Sequence, residues 1–364
     1  MKTKTDPLDH ALMQIALGLA RRGLGNTHPN PAVGCVLVRP DWNNRVVGRG
    51  WTQPGGRPHA ETVALEQAGD CAKGATAYVT LEPCCHHGQT PPCSEALITA
   101  GINRVVIALE DPDPRVSGQG IAALEKAGLE VATDVSTVDA TYLNMGFISR
   151  ILLSRPFITL KTATTLDGQT ATSTGHSQWI TGSQARTAGH RLRATNDAIL
   201  TGIGTILADD PQLTCRLPGC ETQSPVRIIL DAELSITTDH TVIKSASAEQ
   251  PVWIFTSNAT TPPAHAESLM EIDGVRVAAS PEQGAGYLDL VFVARCLAEE
   301  GINRLLIESG GAVATSFITA GLVDEIVWFR SASLIGGDGK PAFGELGVDT
   351  LDSALGLERI SARQ

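Results

Sequence analysis

Three metal-binding side chains and one carboxylate set the strictest condition on how this chain can fold. They lie in His59-Ala60-Glu61, Leu81-Glu82-Pro83-Cys84 and Thr90-Pro91-Pro92-Cys93. One imidazole and two thiols can hold a zinc ion on three sides. A carboxylate two residues after the histidine can handle protons on a water in the fourth position. His59 is expected to open a helix, Cys84 to follow a strand end, and Cys93 to open the next helix. Helix N-termini carry partial positive charge, which lowers thiol pKa and favours the thiolate that zinc binds. The motif sits wholly in the N-terminal part of a 364-residue chain, so the remainder must do something else.

That length exceeds one typical core, and two domains are expected. No apolar run approaches the roughly 20 residues needed to cross a bilayer. The segment Met1-Lys2-Thr3-Lys4-Thr5-Asp6 has basic residues with no apolar core after them. It is not expected to be a secretory signal, and the protein is expected in the cytoplasm, away from membranes. The net charge of −11 argues against broad nucleic-acid binding, which leaves a basic footprint. It leaves room for a small phosphorylated ligand held by a few Arg, His or backbone N–H groups. Of the eight cysteines only 84, 85 and 93 cluster, which fits a reduced compartment with a metal site better than a disulfide scaffold. Cys35, in an apolar run, is expected to pack in the core.

Asp6-Pro7 offers a cap and a first-turn proline, and Leu8, Leu12, Ile15, Ala16 and Leu19 are expected on one helix face ending by Gly23. Strands are expected near 33–38, 45–50, 76–81, 105–109 and 129–131, with helices from 59, 93 and 120. This alternation implies a layered α/β domain with a mostly parallel sheet. Residues 144–156 read as the crossing between domains. A second alternating series follows Pro156, with strands near 198–201, 227–230, 252–255, 304–308 and 325–329. Gly101-Ile102-Asn103-Arg104 is echoed by Gly301-Ile302-Asn303-Arg304. The surroundings differ, so the echo reads as a shared helix-to-strand connector with Gly as the left-handed cap.

The His-x-Glu and Pro-Cys pattern is the signature of zinc nucleobase deaminases. A closed structural site, with Cys85, His86 or His87 as fourth ligand, is the alternative, but it has no use for Glu61. The loop Cys85-His86-His87-Gly88-Gln89-Thr90 suits phosphate binding, or is a solvated loop.

The resemblance then becomes specific. Asn30-Pro31-Ala32-Val33-Gly34, His59-Ala60-Glu61 and the run from Thr80 to Cys93 resemble the bifunctional riboflavin-biosynthesis deaminase/reductase family. So do Lys161-Thr162-Ala163-Thr164-Thr165-Leu166-Asp167-Gly168, Ser177-Gln178-Trp179-Ile180-Thr181 and Gly202-Ile203-Gly204-Thr205 through Asp209-Asp210-Pro211. The resemblance implies an α/β protein with a cytidine-deaminase-like three-layer domain over 1–148 and a dihydrofolate-reductase-like domain over 155–364. It implies deamination of 2,5-diamino-6-(5-phosphoribosylamino)pyrimidin-4-one, then NADPH-dependent reduction of ribosyl to ribityl. One Zn2+ per chain is implied on His59, Cys84 and Cys93, with Glu61 as proton shuttle and substrate contacts at Asn30, His86 and Thr90. In the reductase half, substrate positions fall on Lys161, Ser177, Arg193, Leu213, Arg216 and Glu308. Cofactor positions fall on Ala163, Trp179, Thr205, Asp209 and the turn Gly310, Gly311, Ala312, Val313, Ala314, Thr315 and Ser316. A homo-oligomer is also implied.

Arg193 and Arg216 can bind a phosphate bidentately, or are surface helix arginines. Glu308-Ser309-Gly310-Gly311 ends a strand and opens a helix whose N–H groups can cradle a phosphate. Asp209-Asp210-Pro211 also fits a plain turn. Two departures stand out. Cys85 stands where the family usually has serine, and family members typically continue past Ser361-Ala362-Arg363-Gln364 into a final strand. Two other readings remain: a tRNA or free-nucleoside deaminase with an unrelated appendage, and a binding protein with structural zinc and a nucleotide-holding second domain.

Overall fold

The structure, a computed structural model, describes residues 6–86, 91–220, 222–257, 263–282 and 287–363. Its first part runs α1 (Pro7–Ala20), β1 (Gly34–Arg39), β2 (Arg45–Trp51), α2 (Ala60–Ala68) and β3 (Thr76–Val79). It continues with α3 (Cys93–Thr99), β4 (Arg104–Ile107), α4 (Gln119–Lys126), β5 (Glu130–Ala132) and α5 (Thr137–Leu153). The five strands form one sheet in the order β2-β1-β3-β4-β5. Apolar residues of α1 and α5 cover one face, and those of α2, α3 and α4 the other, giving three layers.

Asp6 caps α1 as expected, accepting from the Leu8 N–H at 3.1 Å, with Pro7 in the first turn. The buried face differs from the expected one. It comprises Asp9, Leu12, Met13, Ala16, Leu17 and Ala20, whereas Leu8 and Ile15 are exposed. The reason is Asp9. Its carboxylate accepts from Tyr78 Oη at 3.0 Å and from the Arg104 fork at 2.7 and 2.9 Å. That pairing turns a charged position inward. The sheet is also less parallel than expected. β1 is antiparallel to both β2 and β3, and only β3-β4 and β4-β5 are parallel. The short connection of residues 40–44 can only reverse the chain, so β1 and β2 must pair antiparallel.

Residues 144–153, in the stretch read as the crossing, form the end of α5, and the chain turns at 154–156. The second part contains β6 (Phe157–Thr164), β7 (Gln169–Ala171), α6 (Ser183–Thr195), β8 (Ala198–Gly202), α7 (Ile203–Asp209) and β9 (Val226–Leu230). It goes on through α8 (Thr241–Lys244), β10 (Val252–Ser257), α9 (Pro263–Met270), β11 (Val275–Ser280) and α10 (Leu290–Glu299). It ends with β12 (Arg304–Ile307), α11 (Gly311–Thr319), β13 (Glu325–Arg330) and β14 (Lys340–Pro341). Seven strands form an all-parallel sheet, β11-β10-β9-β8-β12-β6-β13. β8 and β9 are buried throughout, as central parallel strands covered on both faces must be. α10 and α11 pack on one face, and α7, α8 and α9 on the other. β7 and β14 form a separate two-stranded pair.

The sequence echo is a true structural repeat of the connector. Gly101 and Gly301 both have φ in the left-handed region. The next residues donate alike, Ile102 N–H to Leu97 O and Ile302 N–H to Leu297 O. Each Gly therefore ends a helix and aims the chain into a buried strand, β4 or β12.

Candidate active site

His59 is the N-cap residue of α2, and Cys93 is the first residue of α3. Cys84 follows β3 after a short connection. The fold brings these three to one point: their ligand atoms all lie within 4.8 Å of one another. His59 Nδ1 is 3.3 Å from Cys93 Sγ and 3.7 Å from Cys84 Sγ. Tetrahedral zinc with bonds near 2.0 Å to nitrogen and 2.3 Å to sulfur needs an N···S edge of about 3.5 Å. The donor set thus fits zinc in both chemistry and spacing. The Cys93 N–H donates to Cys84 Sγ at 3.3 Å. A hydrogen bond from the Cys93 thiol, with help from His59, holds the Cys84 thiol well below the usual thiol range, the direction that favours a thiolate ligand. Among the described residues, neither Cys85 nor His86 joins this cluster. The Cys85 thiol instead faces Arg115 O at 3.8 Å and Gln119 Oε1 at 3.9 Å. His87 and Thr90 lie outside the described residues.

Glu61 sits in the first turn of α2, 3% exposed, and lines the same cleft as His59 and Cys84. Burial, then the neighbouring Cys84 thiolate, pushes its carboxyl up to about 7. Its place depends on how closely α2 lies on β2. Gly48 and Gly50 allow this approach: a Cβ on Gly48 would lie 2.2 Å from Ala64 O, and one on Gly50 2.1 Å from Ala60 O.

The cleft holds about 240 Å³. Asn30 lines one wall, its Nδ2 donating to Gly56 O at 2.9 Å, and exposed His86 lines another. Glu82 explains the carboxylate two residues before Cys84. Its oxygens accept from the backbone N–H groups of Asp111 at 3.2 Å, Gly118 at 3.0 Å and Ile121 at 3.1 Å. This ties down the 111–121 segment as the far wall. Sequence reasoning missed that wall and also Arg57, Phe147 and Arg150, which line the cleft. Asp111, buried and pushed up to about 6 mainly by that burial, and Asp113, held low by Arg115, both face it. An acidic, proline-rich turn directly after β4 was the available signal.

The second site gathers at the carboxyl ends of β6, β8 and β12, where ligands bind open α/β sheets. Glu308 follows β12, Lys161 lies on β6 and Arg193 on α6. Lys161 Nζ is 3.4 Å from Glu308 Oε2. Arg193 donates through Nε to Glu308 Oε1 at 2.8 Å, through Nη2 to Oε2 at 3.1 Å, and through Nη1 to Thr214 O at 3.0 Å. The Arg193 fork expected to receive a phosphate is thus engaged by Glu308.

The remaining positions are more dispersed. Gly202, ending β8, sits against α11: a Cβ there would be 2.7 Å from Val313 Cγ2. Thr205 and Asp209 lie on α7, which starts directly after Gly202, and Gly310 is the N-cap residue of α11. Ala312 is exposed and Ala314 buried in the core, while Thr315 and Ser316 donate their hydroxyls to Gly311 O and Ala312 O. Ala163 is half-buried on β6. Trp179 is 70% exposed and stacked by Arg186, and Ser177 is half-buried beside it. Leu213 is buried with a left-handed φ of 60°, and Arg216 is exposed, its N–H donating to His190 Nδ1.

Comparison with known proteins agrees with both halves. A family profile described as the cytidine and deoxycytidylate deaminase zinc-binding region matches residues 7–109. Another, the RibD C-terminal domain, matches residues 156–363. The riboflavin biosynthesis protein RibD of Escherichia coli (strain K12) is 41% identical, over 97% of this chain and 93% of that protein. RibD of Aquifex aeolicus is 42% identical, over 97% and 94%. The structure of Acinetobacter baumannii RibD (form 2) superposes with a TM-score of 0.86 at 35% identity, covering 98% of this chain and 95% of that one. A diaminohydroxyphosphoribosylaminopyrimidine deaminase/5-amino-6-(5-phosphoribosylamino)uracil reductase from Thermotoga maritima superposes with a TM-score of 0.81 at 34% identity, covering 96% and 93%. With a zinc-ligand cluster in a three-layer domain joined to a matching reductase domain, the chain belongs to the RibD family of riboflavin biosynthesis proteins.

Proposed function

We propose that the two sites act in turn on one small phosphorylated pyrimidine, the first on its ring and the second on its sugar. The chain is a bifunctional deaminase/reductase of riboflavin biosynthesis, using zinc for the first step and NADPH for the second. In the first step 2,5-diamino-6-(5-phosphoribosylamino)pyrimidin-4-one takes up water and releases ammonia. In the second the ribosyl group becomes ribityl.

The observation that carries the reading is the convergence of His59, Cys84 and Cys93 beside a buried Glu61. These three residues would hold the metal. When bound, zinc supplies the Lewis acidity that makes water reactive at neutral pH. Glu61, outside the ligand set, takes one proton from the attacking water and gives it to the ring nitrogen, then carries the second proton, from the new hydroxyl, to the amine, which leaves as ammonia. Asn30, His86 and Thr90 hold the substrate, and the wall with Asp111 and Asp113 bounds its ring.

In the second site Lys161, Ser177, Arg193, Leu213, Arg216 and Glu308 receive the sugar phosphate portion, with Arg193 acting mainly by fixing Glu308. NADPH supplies the hydride when bound. Ala163, Trp179, Thr205, Asp209 and the turn from Gly310 to Ser316 would hold it, with the backbone N–H groups at the start of α11 as donors for its phosphates. We divide the units between 148 and 155, a stretch that takes in the end of α5 and the turn after it. We also place the protein in the cytoplasm as a homo-oligomer. Eight unpaired cysteines support the location, and no helix among the described residues is long and apolar enough to cross a membrane. Light scattering on the eluting protein tests the assembly.

The deciding experiment is anaerobic incubation with the diaminopyrimidine phosphate, with and without NADPH, followed by mass spectrometry. Exchange of one amine for a carbonyl without NADPH, and a gain of two hydrogens with it, are expected. An unaltered substrate in both arms overturns the reading.

A further inference from the structure

One wall of the zinc cleft is held from the other half of the molecule. Pro29 and Asn30 line the cleft beside Arg57 and His59. The Asn30 side chain is used within its own unit, on Gly56 O. The carbonyls of Pro29 and Asn30 are taken by two other side chains. Arg150 Nη2 donates to Pro29 O at 2.8 Å, and Asn303 Nδ2 donates to Asn30 O at 3.3 Å. Arg150 Nε also donates to Asn303 Oδ1 at 2.7 Å. The loop backbone, Arg150 and Asn303 therefore form a closed ring of hydrogen bonds.

Asn303 is well placed to act as a fixed post. It is 6% exposed and precedes β12. Its N–H donates to Asp197 Oδ2 at 2.9 Å, and its carbonyl accepts from Phe157 N–H at 2.9 Å. Two residues earlier Gly301 abuts the same loop, where a Cβ would lie 2.7 Å from Pro29 Cβ. Asn303 does not line the zinc cleft, and it stands at the opposite end of β12 from Glu308. The units are also joined by contacts that bypass the Pro29–Asn30 loop. Arg304 Nη2 donates to Tyr142 O and Leu143 O, both at 2.9 Å. Removing the Asn303 side chain thus withdraws support from the cleft wall while these contacts stay.

We propose that Asn303, from the reductase half, and Arg150 are positioning residues for deamination: they fix the Pro29–Asn30 wall against which the pyrimidine binds. The proposal rests on the zinc cleft being the deamination site. A wall segment that can shift loses aligned contacts with the substrate, so the effect falls on KM more than on the proton transfers at Glu61.

The test is steady-state kinetics on the intact zinc-loaded protein, with each reaction followed alone. In N303A the deamination KM is expected to rise about tenfold, with kcat within about threefold, as for loss of one or two buried hydrogen bonds. Zinc content and the reductase kcat/KM on supplied deaminated substrate are expected to match wild type. Asn303→Asp keeps the size and the acceptor for Arg150 but loses the donor to Asn30, so it is expected to raise KM too; it decides the matter if N303A does not fold. R150A/N303A is expected to be less impaired than the two single effects multiplied, because either change opens the ring. A deamination KM within about twofold of wild type in the folded Asn303 variants overturns the proposal, as does a parallel fall in both activities, the mark of general destabilisation. Wild-type protein that fails to deaminate overturns instead the function on which the proposal rests.

Discussion

Glu308 receives both arms of the Arg193 fork, Nε on Oε1 at 2.8 Å and Nη2 on Oε2 at 3.1 Å. Burial alone opposes a charge there, but Arg193 and then Lys161 outweigh it and hold the carboxyl at about 2, against an ordinary 4.5. A depressed pKa contributes stability that is present above about 4.5 and is lost as pH falls toward 2. Arg193→Ala leaves a buried carboxylate with one partner. It is expected to cost about 3 kcal/mol in urea unfolding and to raise KM for the reductase substrate, leaving deamination alone. Arg193→Lys restores charge but not the fork, so only partial recovery is expected. An unchanged KM in Arg193→Ala removes Arg193 from the site.

Glu61→Gln keeps the shape and removes the proton carrier. Zinc content should stay at wild-type level, deamination should fall by at least about 100-fold, and reduction of supplied deaminated substrate should persist. Deamination that survives in this variant reassigns the proton transfers to another group.

Gly50→Ala tests how far the metal site depends on helix packing. The added methyl would lie 2.1 Å from Ala60 O and has to push α2 off β2. Overpacking of this kind costs about 1–3 kcal/mol. The expected outcome is a lower Tm with faster zinc release to a chelator, since His59 and Glu61 move with α2. A lower Tm with unaltered zinc release contradicts the link.

His28 and Asp197 give the contact between the units a pH dependence. His28 Nδ1 is 3.5 Å from Asp197 Oδ1. Burial pulls the imidazole pKa down, yet Asp197 more than offsets this, and it lies above the usual 6.5. A raised histidine pKa contributes stability that is full below 6.5 and is lost as pH rises through the folded-state value. The difference in unfolding free energy between wild type and His28→Ala should therefore shrink from pH 6 to pH 8, by about 1 kcal/mol or less. A difference that grows over that interval contradicts the ion pair.

The metal site was legible because ligand chemistry is written in residue type and spacing. His59, Glu61, Cys84 and Cys93 needed no tertiary knowledge to be picked out, and the helix starts at His59 and Cys93 followed from the same residues. What failed to show depended on partners distant in sequence. The buried face of α1 was misjudged because Asp9 is drawn inward by Arg104, 95 residues away. The engagement of Arg193 by Glu308 spans 115 residues, and the Asn303–Asn30 contact spans 273. Periodicity reports which face is oily; it carries no record of which polar group across the molecule repays a buried charge.

β12 is only four residues long, yet Asn303 stands immediately before it and Glu308 immediately after it. At about 3.3 Å per residue, the two lie some 17 Å apart on one stiff backbone. A tilt of that short bar displaces both of its tips together. A lineage that separated the halves into two genes would therefore have to rebuild a brace for the first cleft, even with every zinc ligand retained.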